Sequence, residues 1–424
     1  MKSVNSQLKA LSAIAVGMMV MAGAASAQSV VSGGATLPQP LYANIISNGP
    51  IVGTWSYTGT GSGPGKLAFL TNNPQATPAM PFRDENNLPT KPAWPTSQPV
   101  HIAGSDSALS STELNNYNTA FGASFGPLIQ VPAVATPVLL TYAETGVTTL
   151  NLSTAQICRI YSFQPSSRTW NQVTTAADDG AVGSTSAIEV LYRTGGSGTT
   201  ELLSRFLNAA CPSFLPAGKS FTVSNDFKTM VASALPTLTP AQDANADGLP
   251  DVWVGATGSA GVEAAAAVNH RLGYLSPSFS FLSTNNGVVA RIDGFQPNDA
   301  AIQAALPAPP VVADRADPLK WVPAYSLPSG AYPILGTTNL LLGQCYADVV
   351  SGGVSSPNPE GAAVKNFLSN FNDGTYDSFI TANHFVKLPA AWNTAIKETF
   401  LDASVSGSTL VIGDASTCNA IGRP

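Results

Sequence analysis

The chain has 424 residues, of which 44% are hydrophobic and 10% are charged, and its formal net charge is −6. This balance argues against nucleic acid as a partner, because surfaces that bind nucleic acid carry clustered Lys and Arg side chains. Any anion site must therefore act through local donors rather than through the field of the whole protein.

The first 27 residues follow the pattern of a secretory signal peptide. Lys2 and Lys9 form a basic start, residues 11–22 form an apolar run too short to span a bilayer, and residues 25–27 are Ala-Ser-Ala, a typical cleavage site. We expect cleavage near Ala27 and Gln28. The mature protein is then periplasmic or secreted. Its length suits two domains, and we expect a monomer.

Strand-like runs alternate with helical patterns along the mature chain, which predicts an α/β fold. The predicted strands are 54–57, 100–104, 128–132, 137–142, 187–192 and 272–275. The predicted helices are 41–43, 153–160, 201–207, 366–371 and 390–401. Two stretches with seven prolines each, 74–99 and 307–333, are predicted to be irregular surface segments, because Pro serves neither interior ladders nor helix interiors.

The segment 193–200, Arg-Thr-Gly-Gly-Ser-Gly-Thr-Thr, connects a predicted strand to a predicted helix. Such a turn directs free backbone N–H groups and the positive end of a helix dipole at one place, which favours an anion. The hydroxyls add neutral donors and Arg193 adds a planar cationic fork, so phosphate is the predicted guest. The alternative is that Ser197 or Thr199 only caps the helix. The loop is not a nucleotide loop, because no Lys follows its second Gly and the spacing G-x-G-x-x-G is absent.

The chain contains four cysteines. They are Cys158, Cys211, Cys345 and Cys418. An even number in an exported chain predicts two disulfides, and the sequence alone leaves three connectivities open. None of the spacings suits zinc.

The segment 243–251 is rich in acidic and amide side chains. The residues at positions 1, 3, 5 and 9 of a calcium-type loop are Asp243, Asn245, Asp247 and Asp251. Gly248 stands at position 6, where such loops turn sharply, but position 12 is Val254 instead of the bidentate Glu. A truncated loop that holds a structural calcium ion is one hypothesis, and a solvated turn is the alternative.

Catalytic constellations are scarce in this sequence. The three histidines are His101, His270 and His384, and neither H-E-x-x-H nor G-x-S-x-G occurs. Asp106 beside Ser105 and Ser107 suggests a Ser nucleophile like that of a phosphomonoesterase, but such enzymes normally need two metal ions and several His and Asp ligands. We favour a binding carboxylate or a turn residue, and we expect no enzymatic activity and no cofactor.

Four donor-rich loops carry a resemblance to a known family. They are 33–38 (Gly-Gly-Ala-Thr-Leu-Pro), 59–66, 103–107 and 193–200. Together with 128–132, 332–336 and the ending Cys418-Asn419, they resemble, in the same order, the phosphate-binding proteins of bacterial ABC importers, and most closely the DING branch. The resemblance covers nearly all of the mature chain.

The resemblance implies the type II fold of periplasmic binding proteins, in which two α/β lobes are joined by two crossing strands and the ligand lies in the cleft. The crossings are expected near 131–142 and 332–342. Lobe I then comprises 28–131 and 336–424, and lobe II comprises 132–335.

The same resemblance implies a set of phosphate ligands and two disulfides. The ligands are Thr36, Leu37, Ser62, Asp106, Arg193, Ser197, Gly198 and Thr199. The disulfides are Cys158–Cys211 and Cys345–Cys418. A carboxylate beside an anion is repulsive unless it accepts a hydrogen bond. Asp106 should therefore accept a hydrogen bond from the protonated oxygen of phosphate and repel sulfate, which carries no proton.

Three features depart from the family pattern. Relatives often have an acidic residue two positions after the Arg, where it can orient the guanidinium, but this chain has Gly195 there. The restraint on Arg193 is therefore open. The segment 243–251 looks like an added loop, and the Pro-rich stretch 74–99 looks longer than usual.

The function that the resemblance implies is capture of phosphate for the membrane subunits of an ABC transporter. Two alternatives stay open. One is a secreted phosphatase or phosphodiesterase of the DING type, and the other is a secreted phosphate scavenger that has no transporter partner.

Overall fold

A computed structural model describes residues 29–84, 91–174, 183–277, 288–351, 354–356, 358–404 and 410–424. The predicted signal peptide and its cleavage site lie outside the described residues. In the described part of the chain, no helix combines the length and the apolar character that crossing a bilayer requires.

The strands and helices are numbered in chain order. The strands are β1 Ser29–Gly34, β2 Thr54–Gly59, β3 Ile102–Ser105, β4 Leu128–Pro137, β5 Leu139–Ala143, β6 Asn151–Leu152, β7 Glu189–Thr194, β8 Val254–Thr257, β9 Arg271–Leu275, β10 Arg291–Ile292, β11 Leu335–Gly343, β12 Val349–Ser351 and β13 Val354–Ser356. The α-helices are α1 Gln39–Asn48, α2 Ser62–Leu70, α3 Ser111–Tyr117, α4 Ala123–Phe125, α5 Thr154–Tyr161, α6 Trp170–Val173, α7 Gly198–Ala210, α8 Phe227–Val231, α9 Gly258–Ala266, α10 Asp299–Ala305, α11 Pro359–Asn372, α12 Asp377–Ala382 and α13 Ala390–Ile396.

The first sheet has five strands in the order β2-β1-β3-β11-β4. β1 runs parallel to β2 and β3, while β11 runs antiparallel to β3 and β4. Every residue of β4 is buried, as expected for a strand that is covered on both faces. On one face, Tyr42 of α1 packs its ring edge-on against Tyr57 of β2 and Phe367 of α11, with ring centroids 4.9 and 6.0 Å away.

The second sheet has four strands in the order β5-β9-β7-β8. β7 runs parallel to β8 and β9, and β5 runs antiparallel to β9. α7 begins directly after β7 and α9 directly after β8, so both helices start at the same edge of this sheet. The mixed strand order and the alternation with helices match the predicted α/β class.

The chain passes from the first sheet to the second at Val138, between the end of β4 and the start of β5. The return crossing lies beside it, because the Val138 N–H donates to the Ile334 carbonyl at 2.8 Å. Tyr332 braces both crossings: its hydroxyl donates to the Val138 carbonyl and accepts from the Leu140 N–H. The lobe boundary drawn between residues 131 and 132 falls inside β4, and the lobe boundaries stay a prediction.

The described residues of the two Pro-rich stretches form no α-helix and no strand of a sheet, but they include two short 3-10 turns, Val312–Asp314 and Pro318–Lys320, and they are not only surface segments. Phe82, Trp321 and Tyr332 are completely buried. The Trp321 ring lies 4.6 Å from that of Phe400, centroid to centroid, and its indole N–H donates to the Arg315 carbonyl. Proline prevents regular pairing in these stretches, but their aromatic side chains still enter the core.

Most of the predicted elements occur with shifted ends. The segment 390–401 is an α-helix to Ile396 and continues as a π-helical turn, Lys397–Leu401. The segment 137–142 is broken at Val138, where the chain changes sheet. β1, β8 and α9 were missed, since their sequences are short and rich in Gly, Ala and Ser and carry little apolar periodicity.

Two disulfides join Cys158 to Cys211 and Cys345 to Cys418. These are the pairs that the resemblance implied. The first ties α5 to the residue that follows α7, and it therefore anchors the far end of the helix that begins at the Gly-rich loop.

His101 is a buried histidine that precedes β3, and its Nδ1 accepts the Val31 N–H at 3.0 Å. Burial and the positive charge of Arg423 lower the pKa of His101 to about 3. The unfolded chain then binds more protons than the folded one below the ordinary pKa, so stability falls as the pH falls. From pH 7 to pH 4, we expect the wild type to lose about 3 kcal/mol more unfolding free energy than His101→Asn. Urea unfolding at both pH values measures the two losses, and equal losses would contradict this assignment.

Candidate functional site

Four loops meet at the carboxyl ends of strands from both sheets. β1, β2 and β3 of the first sheet end in the donor-rich loops 33–38, 59–62 and 103–107, and β7 of the second sheet ends in the loop 193–198. In open α/β sheets, ligands bind in the crevice outside the carboxyl ends of the strands. The predicted loops therefore lie where this architecture places ligands.

Asp106 is the carboxylate of this cluster, and it is 1% exposed. Its N–H donates to Ser62 Oγ at 3.1 Å, and Asp106 Oδ2 lies 3.4 Å from the same hydroxyl. Burial raises the pKa of Asp106 to about 7, against the opposing effects of the Thr338 hydroxyl, Arg193 and Ser62. The other oxygen, Oδ1, is buried and makes no well-formed hydrogen bond to the described residues. Asp106 thus keeps an acceptor for a group that carries a proton.

Arg193 is the penultimate residue of β7 and is 5% exposed. Its N–H donates to the Tyr274 hydroxyl at 3.1 Å, and its Nη1 donates to Ser259 Oγ at 3.2 Å. Its Nε is buried and has no hydrogen-bond partner in the described part of the chain. A buried guanidinium with an unused donor can hold an anion through charge-assisted hydrogen bonds.

The start of α7 lies against Asp106 and Ser62. Ser197 is the N-cap, since its Oγ accepts the Thr200 N–H at 3.3 Å, and both Ser197 and Thr199 are buried. Ser197 therefore caps the helix, and its hydroxyl can still donate a hydrogen bond, so its role as a ligand stays a prediction. Gly198 approaches so closely that a Cβ there would lie 2.2 Å from the Cβ of Asp106.

Thr36 and Leu37 lie in the turn between β1 and α1. Leu37 is buried, and Thr36 Oγ1 lies 3.1 Å from Ser259 Oγ. Ser259 belongs to the first turn of α9, which follows a strand of the other sheet. The structure therefore brings all four predicted loops together.

The loop predicted at 59–66 is shorter than expected, because α2 begins at Ser62 after Gly61, whose φ is +97°. Lys66 lies within this helix. Its Nζ donates to the Ala108 carbonyl at 3.0 Å and forms an ion pair with Glu113. Lys66 therefore braces the loop after Asp106 instead of extending the donor-rich turn.

Ser259 and Thr338 belong to this cluster, and the sequence analysis did not find them. The signal for Ser259 was present: 254–259 is Val-Gly-Ala-Thr-Gly-Ser, a second strand that passes through Gly and Ser into a helix. Thr338 lies in the middle of the buried strand β11, where nothing local distinguishes a functional hydroxyl from a structural one.

The segment 243–251 lies away from these loops in sequence and has its own hydrogen bonds. Asp243, Asn245, Asp247 and Asp251 each accept backbone N–H groups of the same segment. Asp247 also forms an ion pair with Lys228 at 3.0 Å. Among the described residues, no group of three or more His, Cys, Asp or Glu side chains is placed to hold a metal ion. These contacts are typical of an Asx-rich turn, and structural calcium stays a prediction.

Comparison with known proteins agrees with this architecture. Residues 15–371 match the family model of the PBP superfamily domain. The chain is 38% identical, over 94% of its length and 95% of the relative's, to a Pseudomonas aeruginosa protein named alkaline phosphatase L. It is similar to the solved structure of PfluDING, a high-affinity periplasmic phosphate-binding protein with bound phosphate, with a TM-score of 0.74 and 35% identity over 93% of this chain and 99% of that chain. A phosphate-binding protein from Stenotrophomonas maltophilia has a TM-score of 0.73 and 32% identity over the same shares.

The chain therefore belongs to the PBP superfamily, in the DING branch of phosphate-binding proteins. Its α/β fold is the type II fold of periplasmic binding proteins. Membership of this family and the two disulfides indicate that the protein works outside the cytoplasm.

Proposed function

We propose that this protein binds inorganic phosphate between its two lobes and delivers it to an ABC importer. The observation that carries the proposal is a buried carboxylate, Asp106, among neutral donors and one buried guanidinium, with an oxygen, Oδ1, that has no hydrogen bond of good geometry to the described residues. Phosphate keeps a proton at neutral pH and can donate it to Asp106, whereas sulfate would meet an unpaired negative charge. The relatives that are named or solved as phosphate-binding proteins support this choice of anion.

In this proposal each predicted loop contributes to one anion. The ligands are Thr36, Leu37, Ser62, Asp106, Arg193, Ser197, Gly198 and Thr199. Arg193 and the amino end of α7 supply positive charge, the hydroxyls and backbone N–H groups supply neutral donors, and Asp106 supplies the acceptor. Lobe I is 28–131 with 336–424, and lobe II is 132–335.

Delivery follows from lobe closure. The anion bridges groups from both sheets, so phosphate stabilises the closed form relative to the open one. Membrane subunits that bind only the closed form would then receive loaded protein, in the periplasm if the mature chain stays there after its signal peptide is cleaved. A secreted scavenger would bind phosphate equally well, but deleting its gene would leave phosphate uptake unchanged.

Calorimetry of the mature protein with phosphate, arsenate and sulfate tests the proposed ligand. We expect phosphate and arsenate to bind, because both carry a proton at neutral pH, and sulfate to give no heat. Repeating the titrations with calcium present tests whether the 243–251 segment affects binding. Equal affinity for sulfate and phosphate would refute the role proposed for Asp106.

Arg193→Lys should raise the phosphate Kd about 100-fold, because a lysine offers a point charge instead of a planar fork and loses the buried Nε donor. Arg205→Lys is the matched control, since Arg205 lies on α7, the helix that begins at the same Gly-rich loop, and pairs with Glu201. It should leave the Kd within about threefold of wild type, as for a partly exposed pair. Equal effects of the two substitutions would contradict a ligand role for Arg193.

Phosphoester hydrolysis is a second candidate, which the name of the Pseudomonas aeruginosa relative favours. Turnover of a chromogenic phosphate ester that continues past one equivalent, with and without added divalent metal, would support it. A binding protein would release no product, and the ester would at most compete with phosphate.

A further inference from the structure

Arg193 stands in this chain without the acidic neighbour that the family pattern suggests. The position two residues later is Gly195, whose φ is +73° and whose Cβ position has no atom of the described residues within 4 Å. Within the described residues, Arg193 forms no ion pair at contact distance, and the group that holds its guanidinium is the Ser259 hydroxyl at 3.2 Å from Nη1. The partner of the guanidinium is thus a neutral hydroxyl and not a carboxylate.

The hydrogen bonds in this cluster have a defined direction from donor to acceptor. A guanidinium can only donate, so Ser259 Oγ accepts from Arg193. The Ser259 hydroxyl proton is then free to point at Thr36 Oγ1, which lies 3.1 Å away. When Thr36 Oγ1 accepts this hydrogen bond, its own hydroxyl can donate a hydrogen bond to an anion. The chain of hydrogen bonds runs from Arg193 through Ser259 to Thr36, and such chains strengthen each member.

The same chain joins the two sheets. Arg193 lies near the end of β7 and Ser259 follows β8, both in the second sheet, and Thr36 follows β1 of the first. The contact between Ser259 and Thr36 therefore forms only when the two sides of the cleft meet. Loss of this contact should allow the closed form to open more often. It should therefore change the dissociation rate of the ligand more than the association rate.

We propose that Ser259 is a positioning residue for anion binding. It orients Arg193 in place of an acidic side chain, and its hydrogen bond with Thr36 stabilises the closed cleft. The inference rests on the proposed function, since it concerns the same anion. It assigns to α9, which contributes no predicted ligand, a role in setting the affinity and the dissociation rate. It also explains how this chain can dispense with an acid at Gly195.

The test compares three variants in stopped-flow and equilibrium binding of inorganic phosphate. Ser259→Ala should raise the Kd about 10- to 100-fold, mainly through faster dissociation. Ser259→Thr keeps the hydroxyl and should restore most of the affinity. Thr257→Val is the matched control: its hydroxyl lies 3.0 Å from that of Thr194, its partner on the neighbouring strand β7, and within the described part of the chain it has no hydrogen bond to Arg193 or Thr36. It should bind like wild type.

A double-mutant cycle adds a readout that a general structural defect would not move. In a Thr36→Val background, Ser259→Ala should cost markedly less affinity than in the wild type, because the two residues act through one chain. An unchanged Kd for Ser259→Ala, or additive losses together with an equally weak Ser259→Thr, would overturn the inference. If the wild type itself fails to bind phosphate, it is the proposed function that fails, so the two failures are distinguishable.

Discussion

Gly198→Ala is expected to weaken phosphate binding by at least about 100-fold, although the substitution adds a single methyl group. A Cβ at this position would lie 2.2 Å from the Asp106 Cβ and 2.5 Å from Ser62 Oγ. Neither neighbour can move without disturbing the other, because the Asp106 N–H donates to Ser62 Oγ. The methyl group should therefore hold the two sides of the cleft apart. Calorimetry with phosphate measures the loss.

Gly196→Ala is the matched control in the same loop. Its Cβ would meet its nearest atoms, those of the Asn225 side-chain amide, at 3.7 Å or more, which is ordinary contact. We expect wild-type affinity within a few fold. Gly198→Ala should also leave the ligand-free protein as stable as wild type, since Ala suits the first turn of a helix better than Gly does. Wild-type affinity in Gly198→Ala would mean that this close approach is not a feature of the phosphate-bound form.

The sequence predicts the loops of the site better than it predicts how they are held. The loops at Thr36, Asp106 and Arg193 combine Gly, Ser and Thr at strand ends, and that pattern is local. The contacts that complete the site are not local: Ser259 reaches Thr36 from 223 positions away in the chain. Such pairs depend on how the sheets come together, which short-range patterns do not encode.

The same reasoning explains the fold elements that were missed. The predicted strands 128–132 and 137–142 overlap the largely apolar strands β4 and β5, but the extension of β4 to Pro137 and the change of sheet at Val138 depend on pairing with β11 and β9. β8 alternates partly buried and exposed small residues and has almost no apolar signal. It exists because β7 pairs with it along four residues.

Asp106→Asn is expected to reduce the preference for phosphate over sulfate by about 100-fold or more. The amide has the size of the carboxyl but no charge, and it can either accept the phosphate proton or donate to a sulfate oxygen. Sulfate therefore loses its main penalty, while phosphate loses a charge-assisted hydrogen bond. Competition binding of the two anions measures the ratio directly. Unchanged selectivity would remove Asp106 from its proposed role.

Two further measurements separate this hydrogen bond from the general negative field and from misfolding. Glu201 also raises the pKa of Asp106 through its charge, so Glu201→Gln lowers the field without touching the acceptor, and it should keep the phosphate preference.

The pKa of Asp106 is about 7 in the folded protein, above its ordinary value of 3.8, so the folded state binds more protons between these values and stability falls as the pH rises through them. Asp106→Asn removes that penalty. Urea unfolding without phosphate measures the unfolding free energy of the variant minus that of wild type at each pH. This difference should be up to about 4 kcal/mol larger at pH 8 than at pH 4. A smaller difference at pH 8 than at pH 4 would show that the carboxylate is not held in the buried state that gives it selectivity.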